Sequence, residues 1–294
     1  MEPAELSVAT ESGPQVALLP DGRRLHLHHG PIDIIAEAFG PLEAARAAYD
    51  RATVRFAAIL DELVAELPLL RAPLGIAPPR VRGETARRMV AACSPHRGVF
   101  VTPMAAVAGA VADDVLAAML AADHGLTRAY VNDGGDIALF LATGECFTAG
   151  LVTEIGRPAI AATASIDAAM PVRGIATSGR SGRSFSLGIA DAVTVLAANA
   201  AAADVAATLI ANRVDIDSPA VVRQPARELQ EDSDLQLQRV VVALGPLPLH
   251  DVEAALEAGL AEAERMRAAG LIVGAFLALR GRHRATGLAL LRCP

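Results

Sequence analysis

RGIATSGRSGRSFSLGIADAVTVLAANAAAADVAATLIAN, residues 173–212, decides how this chain folds and what it can bind. A glycine- and hydroxyl-rich loop leads into an apolar strand, and the strand leads into a helix. The loop supplies free backbone N–H groups and hydroxyls that suit an anion. On the helix, Asp204 and Thr208 stand four residues apart and share one face. A carboxylate and a hydroxyl are hard oxygen donors of the kind Mg²⁺ takes alongside water or phosphate. The stretch therefore points to a phosphate-bearing ligand held with a metal ion.

The 294 residues are enough for one large or two small domains with a real core. Apolar residues make up 53% and charged residues 20%, which argues against extended disorder. With two Tyr, seven Phe and no Trp, the core has to be aliphatic. A net charge of −7 argues against nucleic acid as a partner. All 26 basic residues are arginine. Base-composition bias accounts for that, and its chemical consequence is firm: Schiff-base chemistry and a phosphate-loop lysine are excluded. Cys93, Cys146 and Cys293 form no metal-binding or disulfide pattern, which suits a cytoplasmic protein. MEPAELSVATESG has no apolar stretch of a secretion signal. The stretches 99–122 and 192–211 are hydrophobic enough to mimic spans, but Asp113, Asp114 and Asp204 sit inside them, so no membrane segment is expected.

Residues 16–19 and 25–29 read as a hairpin, and 31–38 as a further extended segment. Apolar positions from Leu42 to Leu67 recur at helical spacing and define one buried face. The proline-rich stretch 69–82 is a linker, and 84–93 a short helix. Residues 99–102 read as a brief strand before a helix opened by Pro103 and running to about Asp123. Residues 128–131 and 136–141 are strands around the turn Asn132-Asp133-Gly134-Gly135, with strand-like segments onward to Ala176. Residues 215–236 read as a loop, 237–244 as a strand, 249–269 as a helix and 270–280 as a strand. The class is α+β, antiparallel sheet covered by helices, across a single unit of residues 1–294 in which two lobes have no visible boundary.

Several candidates carry two readings. Asp204 is a cation ligand or a cap, and Thr208 a ligand or a hydroxyl bonded back to its own helix. Gly134 and Gly135 are a ligand-facing backbone or a plain hairpin turn, with Asp136 free to accept bonds from a ligand. Thr177, Ser178 and Gly179, with Arg180 and Arg183, form an anion grip or a surface loop. The helix start at Met104 through Ala108 attracts anions or simply packs closely. His26 and His28 share a strand face, but without a third ligand an exposed edge strand is the better reading.

VTPMAAVAGAVAD, YVNDGGDIAL, RGIATSGRSGRSFSLGIADAVTVLA and ADVAATLIAN, in this order, resemble an uncharacterised family of the ApbE-like superfamily. That superfamily is named for the FAD:protein FMN transferases. The resemblance implies an ApbE-like, T-fold-related architecture with a ligand cleft between lobes. It implies FAD or a related nucleotide as cofactor. Asp204, Thr208 and a backbone carbonyl near Val107 would hold Mg²⁺. Met104, Ala108, Gly134, Gly135, Asp136, Thr177, Ser178 and Gly179 would line the flavin site. Asp204, Arg180 and Arg183 would act on the pyrophosphate.

Two departures stand out. The transferases carry Lys-Gly where this chain has Ala108-Gly109, and a His and a DP-T-G motif after the TSG loop that this chain lacks. Either removes a group that could aid phosphoryl transfer. The expected function is a cytoplasmic FAD-like binder with a Mg²⁺-assisted pyrophosphate site, acting as transferase or hydrolase. The alternative is a non-catalytic flavin carrier or maturation factor for an acceptor redox enzyme. Another small-molecule enzyme reusing the pocket is a third course, and a homo-oligomer stays open.

Overall fold

A computed structural model describes residues 13–121, 123–153, 160–182, 184–287 and 291–292. The N-terminal expectations for residues 1–12, together with Arg183 and Cys293, lie outside the described residues.

Strands β1 (Gln15–Leu18), β2 (Leu25–His29) and β3 (Ile32–Phe39) form a meander. Its first turn is fixed by Asp21, which accepts the N–H groups of Arg23 and Arg24. Helix α1 (Leu42–Ala65) buries Ala48, Ala52, Phe56, Ile59 and Leu63 at helical spacing. The short α2 (Leu67–Leu70) and α3 (Glu84–Cys93) follow. A 3-10 turn at Pro103–Ala106 runs into α4 (Val107–Met119). Then come β4 (Arg128–Asp133), β5 (Asp136–Leu141), β6 (Cys146–Val152), β7 (Ile160–Asp167), β8 (Gly174–Ser178) and β9 (Ala192–Ala197). Helix α5 (Ala200–Arg213), β10 (Val221–Pro225), α6 (Ala226–Leu229), β11 (Arg239–Leu244), α7 (Leu249–Ala268), β12 (Gly274–Leu279), β13 (Arg282–Thr286) and β14 (Leu291–Arg292) complete the order.

Nine strands form one antiparallel sheet in the order β1-β2-β3-β4-β5-β8-β9-β12-β13. Alternation sorts its side chains onto two faces. Val131, Ala138, Ala176, Val193, Val195 and Leu277 face a core shared with helices α1, α4, α5 and α7. Leu139, Leu141, Ile175, Leu196 and Phe276 face a second core, closed by the small sheet β14-β7-β6. The expected α+β class with antiparallel sheets covered by helices is what the molecule has. Among the described residues no helix is long and apolar enough to cross a membrane.

Local expectations needed correction. Residues 99–102 form no strand: Val101 accepts one bond, from Leu74, and the chain goes directly into the 3-10 turn. The helix expected from Pro103 to Asp123 is a 3-10 turn followed by an α-helix that ends at Met119. The stretch read as a loop, 215–236, holds β10 and α6, with β10 paired to β11. Strand β13, a polar partner of β12, went unread. Strand β2 is not an edge, because β1 covers it, and His26 pairs with Asp33 at 2.7 Å.

Candidate functional site

The site forms where α4 and α5 cross beside the β4–β5 hairpin. Gly109 permits the crossing. A Cβ there would lie 2.3 Å from the Ala200 carbonyl oxygen, so any larger residue would push the helices apart. Each helix then caps the other. Asp113 of α4 accepts the Ala200 and Ala201 N–H groups at the start of α5, at 3.0 and 2.9 Å. Asp204 of α5 accepts the Gly109 N–H near the start of α4, at 3.0 Å. Both carboxylates thus meet the positive end of the neighbouring helix. Asn199, not Asp204, caps α5 itself, accepting from Ala202 at 2.8 Å.

Asp204 is half-buried. Burial pushes its carboxyl up to about 7; the N–H groups of Gly109 and Ala108 pull it down, and the charges of Asp133 and Asp113 push it further up. Burial raises Asp113 too, against the pull of the two α5 N–H groups. Asp133, itself buried, ends β4 directly before Gly134, so its influence on Asp204 links the paired glycines to α5. The Cys93 thiol lies within the same field; burial, then the Asp204 charge, push it far above the ordinary thiol range. That thiol is inert at neutral pH.

Thr208 follows Asp204 by one turn and is half-buried. Its hydroxyl makes no hydrogen bond among the described residues, so the back-bonded reading does not apply. Val107 opens α4, where its carbonyl belongs to the helix ladder.

Gly134 and Gly135, at φ +63° and +113°, make the two-residue loop between Asp133 and Asp136, which face each other across the hairpin. Asp136 accepts the Thr177 N–H at 3.2 Å, joining this hairpin to the TSG segment. The Thr177 hydroxyl meets that of Thr194 at 2.9 Å. Gly179 passes so close to Asp191 that a Cβ would stand 2.6 Å from its carbonyl oxygen. Arg180 does not reach freely into solvent. Its Nε and Nη2 donate to Asp191 Oδ1 at 3.0 and 2.7 Å, while the Arg280 N–H holds the other oxygen. Met104 packs partly buried against the helix-side core, and Ala108 is half-buried.

The structure therefore joins Asp136 of the glycine hairpin to Thr177, brings Asp204 under the charge of Asp133 and against the Gly109 N–H, and ties Arg180 to Asp191. Sequence reading did not assign sites to Asp113, Asp133 or Asp191. For Asp113 and Asp191 the signal was present, since each is a carboxylate in an apolar run that needs a partner; Asp133, set in a polar turn, carried none. Two hollows stand out, of about 500 Å³ beside Arg51, Val54 and Arg55 and about 330 Å³ beside Arg88 and His96. Neither is lined by the glycine pair or the TSG segment, so the expected cleft is not one of them. No cluster of three or more His, Cys, Asp or Glu fit for a metal occurs among the described residues. A cation here would rest on Asp204, a hydroxyl, a carbonyl and its ligand's own oxygens.

Comparison with known proteins shows the family of the chain. A UPF0280 protein of Methanothrix thermoacetophila is 33% identical over 200 residues, covering 65% of this chain and 77% of that protein. One from Methanopyrus kandleri is 36% identical over 150 residues, covering 51% of this chain. The chain spans only 57% of the length of that second relative. The crystal structure of Pseudomonas stutzeri flavinyl transferase ApbE in its apo form is similar at 13% identity, covering 93% of this chain and 94% of that one, with a TM-score of 0.44. The model of the family described as AbpE bacteria matches residues 16–285, and the chain belongs to that ApbE-like family.

Proposed function

We propose that this protein binds FAD or a related dinucleotide at the α4–α5 crossing, where Asp204 would be the carboxylate that holds Mg²⁺. One observation carries the reading. Asp204 of α5 accepts the Gly109 N–H at the start of α4, and burial together with the charge of Asp133, next to the paired glycines, raises its carboxyl. Carboxylates that raise one another's pKa in a desolvated place favour a cation or a proton. The donor chemistry fits a hard divalent ion: the Asp204 carboxylate, the unengaged Thr208 hydroxyl and a backbone carbonyl near Val107. When bound, Mg²⁺ would neutralise charge on the pyrophosphate.

The chain's own groups then have separate tasks. The N–H groups at the start of α4 orient Asp204. Asp136 fixes the TSG segment against the glycine hairpin, and the Ser178 hydroxyl and Gly134–Gly135 backbone face the ligand. Arg180 holds the TSG segment in place through Asp191 and keeps further N–H groups for a phosphate. If turnover occurs, an acceptor hydroxyl or water attacks the flavin-side phosphorus and AMP leaves with the bridging oxygen.

A non-catalytic carrier is the second reading. It is favoured by Ala108, an uncharged residue at the helix start, and by the commitment of Arg180 to Asp191. A cytoplasmic setting, a protein acceptor and the relation to the flavinyl transferase belong to the same proposal. The test is incubation of the purified protein with FAD, with and without Mg²⁺, followed by mass spectrometry for FMN and AMP. Products only with Mg²⁺ support the enzyme; tight FAD binding without products supports the carrier. Absence of FAD binding removes both.

A further inference from the structure

We propose that the 330 Å³ hollow between α3 and the start of α5 is a binding site for a small monocarboxylate, separate from the nucleotide site. The hollow is lined by Arg88, His96, Asp113 and Asn199, with Ala92 and Leu271 among its apolar walls. Its donors are unspent and its acceptors are spent. Arg88 Nε is buried without a hydrogen-bond partner; among the described residues the guanidinium's ion pair is with Glu84, at 3.3 Å, and its charge also acts on Asp113. His96 is only 6% exposed, and its ring nitrogens make no hydrogen bond among the described residues. Asn199 uses its side-chain oxygen on the Ala202 N–H, which leaves its amide N–H groups to donate. Asp113 uses both oxygens on the start of α5, so its charge is already met there.

A ligand entering such a site has to bring acceptors. A carboxylate matches the planar fork of an arginine and can also take bonds from an imidazole N–H and an amide. The apolar walls suit a short hydrocarbon body. Only one cationic side chain lines the hollow, and Glu84 and Asp113 stand beside it. A monoanion therefore fits better than doubly charged phosphate. Burial, then the Arg265 charge, hold the His96 ring below its usual pKa, so it serves as a neutral donor. The inference does not depend on the nucleotide reading, because Arg88, His96, Ala92 and Leu271 have no part in that site; Asp113 and Asn199 border both, and here they are spent on the start of α5.

The experiment follows histidine ring resonances of the full chain by NMR during titration with butyrate, with inorganic phosphate and sodium chloride as parallel arms. His96→Ala assigns the signal. Butyrate is expected to shift the His96 resonance saturably, while the same concentrations of phosphate or chloride leave it in place. Arg88→Met should weaken butyrate at least about tenfold, the loss of one charge-assisted bond. Ala202→Leu, which adds bulk to the hollow without changing a charge, should weaken it as well. No saturable shift, equal affinity in Arg88→Met, or phosphate binding as tightly as butyrate would each overturn the assignment.

Discussion

Replacing Asp204 with Asn isolates the electrostatics on which the site depends. The amide keeps an oxygen to accept the Gly109 N–H but has no proton to gain or lose. In the wild-type chain the Asp204 carboxyl moves from 3.8 to about 7 on folding. Below pH 3.8 folded and unfolded chains both carry the proton, and this group adds no pH dependence. Between pH 3.8 and about 7 the unfolded chain loses it while the folded chain keeps it, so stability falls as pH rises. The full difference corresponds to about 4 kcal/mol, or about 2–4 kcal/mol once partial solvent contact is allowed. The assay is urea unfolding of both proteins in a metal chelator at pH 5 and pH 8. Comparing the two proteins at each pH cancels the titrating groups that do not interact with Asp204, leaving its own term and its coupling to Asp133 and Asp113. At pH 8 the variant should be more stable than wild type by about 2–4 kcal/mol, and the advantage should shrink toward pH 5. Adding Mg²⁺ at pH 8 should stabilise only the wild type. A variant-to-wild-type difference that is the same at both pH values would refute the reasoning.

Three further outcomes follow from named contacts. Gly109→Ala places a methyl against the Ala200 carbonyl and should cost about 1–3 kcal/mol, toward the upper end because the obstacle is backbone; chemical denaturation measures it. Asp113→Ala strips two N–H groups at the start of α5 of their acceptor and should cost about 1–2 kcal/mol, with faster amide exchange at Ala200 and Ala201. Arg180→Met leaves Asp191 with an uncompensated charge and should cost about 2–3 kcal/mol in thermal or urea melts; adding Asp191→Asn should recover part of it. If Arg180 served only as a mobile phosphate grip, the single variant would unfold like the wild type.

The sequence was legible wherever a single element carried its own signal. The apolar stripe from Leu42 to Leu67 and the Gly134–Gly135 turn gave α1 and the β4–β5 hairpin directly, and Asp204 stood out as a charge in an alanine-rich helix. What stayed hidden depends on partners distant in the chain. Strand β11 was read from its own valine run, but its partner β10 was not: in Val221-Val222-Arg223-Gln224-Pro225 apolar and polar residues do not alternate, and Val222 is exposed. Strand β13 is polar because it is the outer edge of the large sheet. The reciprocal caps between Asp113 and Asp204 exist only once α4 and α5 cross. Arg180 reads as a phosphate grip until the fold sets Asp191 beside it, although an aspartate next to an apolar strand already called for a cation.

The central claim is that the α4–α5 crossing holds a dinucleotide through a divalent ion at Asp204. Titration of purified protein into FAD, followed by flavin fluorescence with and without Mg²⁺, tests it most directly when wild type and Asp204→Asn are run side by side. Wild type should bind saturably, with Mg²⁺ tightening the affinity by at least about tenfold, and the variant should be indifferent to Mg²⁺. Equal binding by both proteins with and without the ion would contradict it.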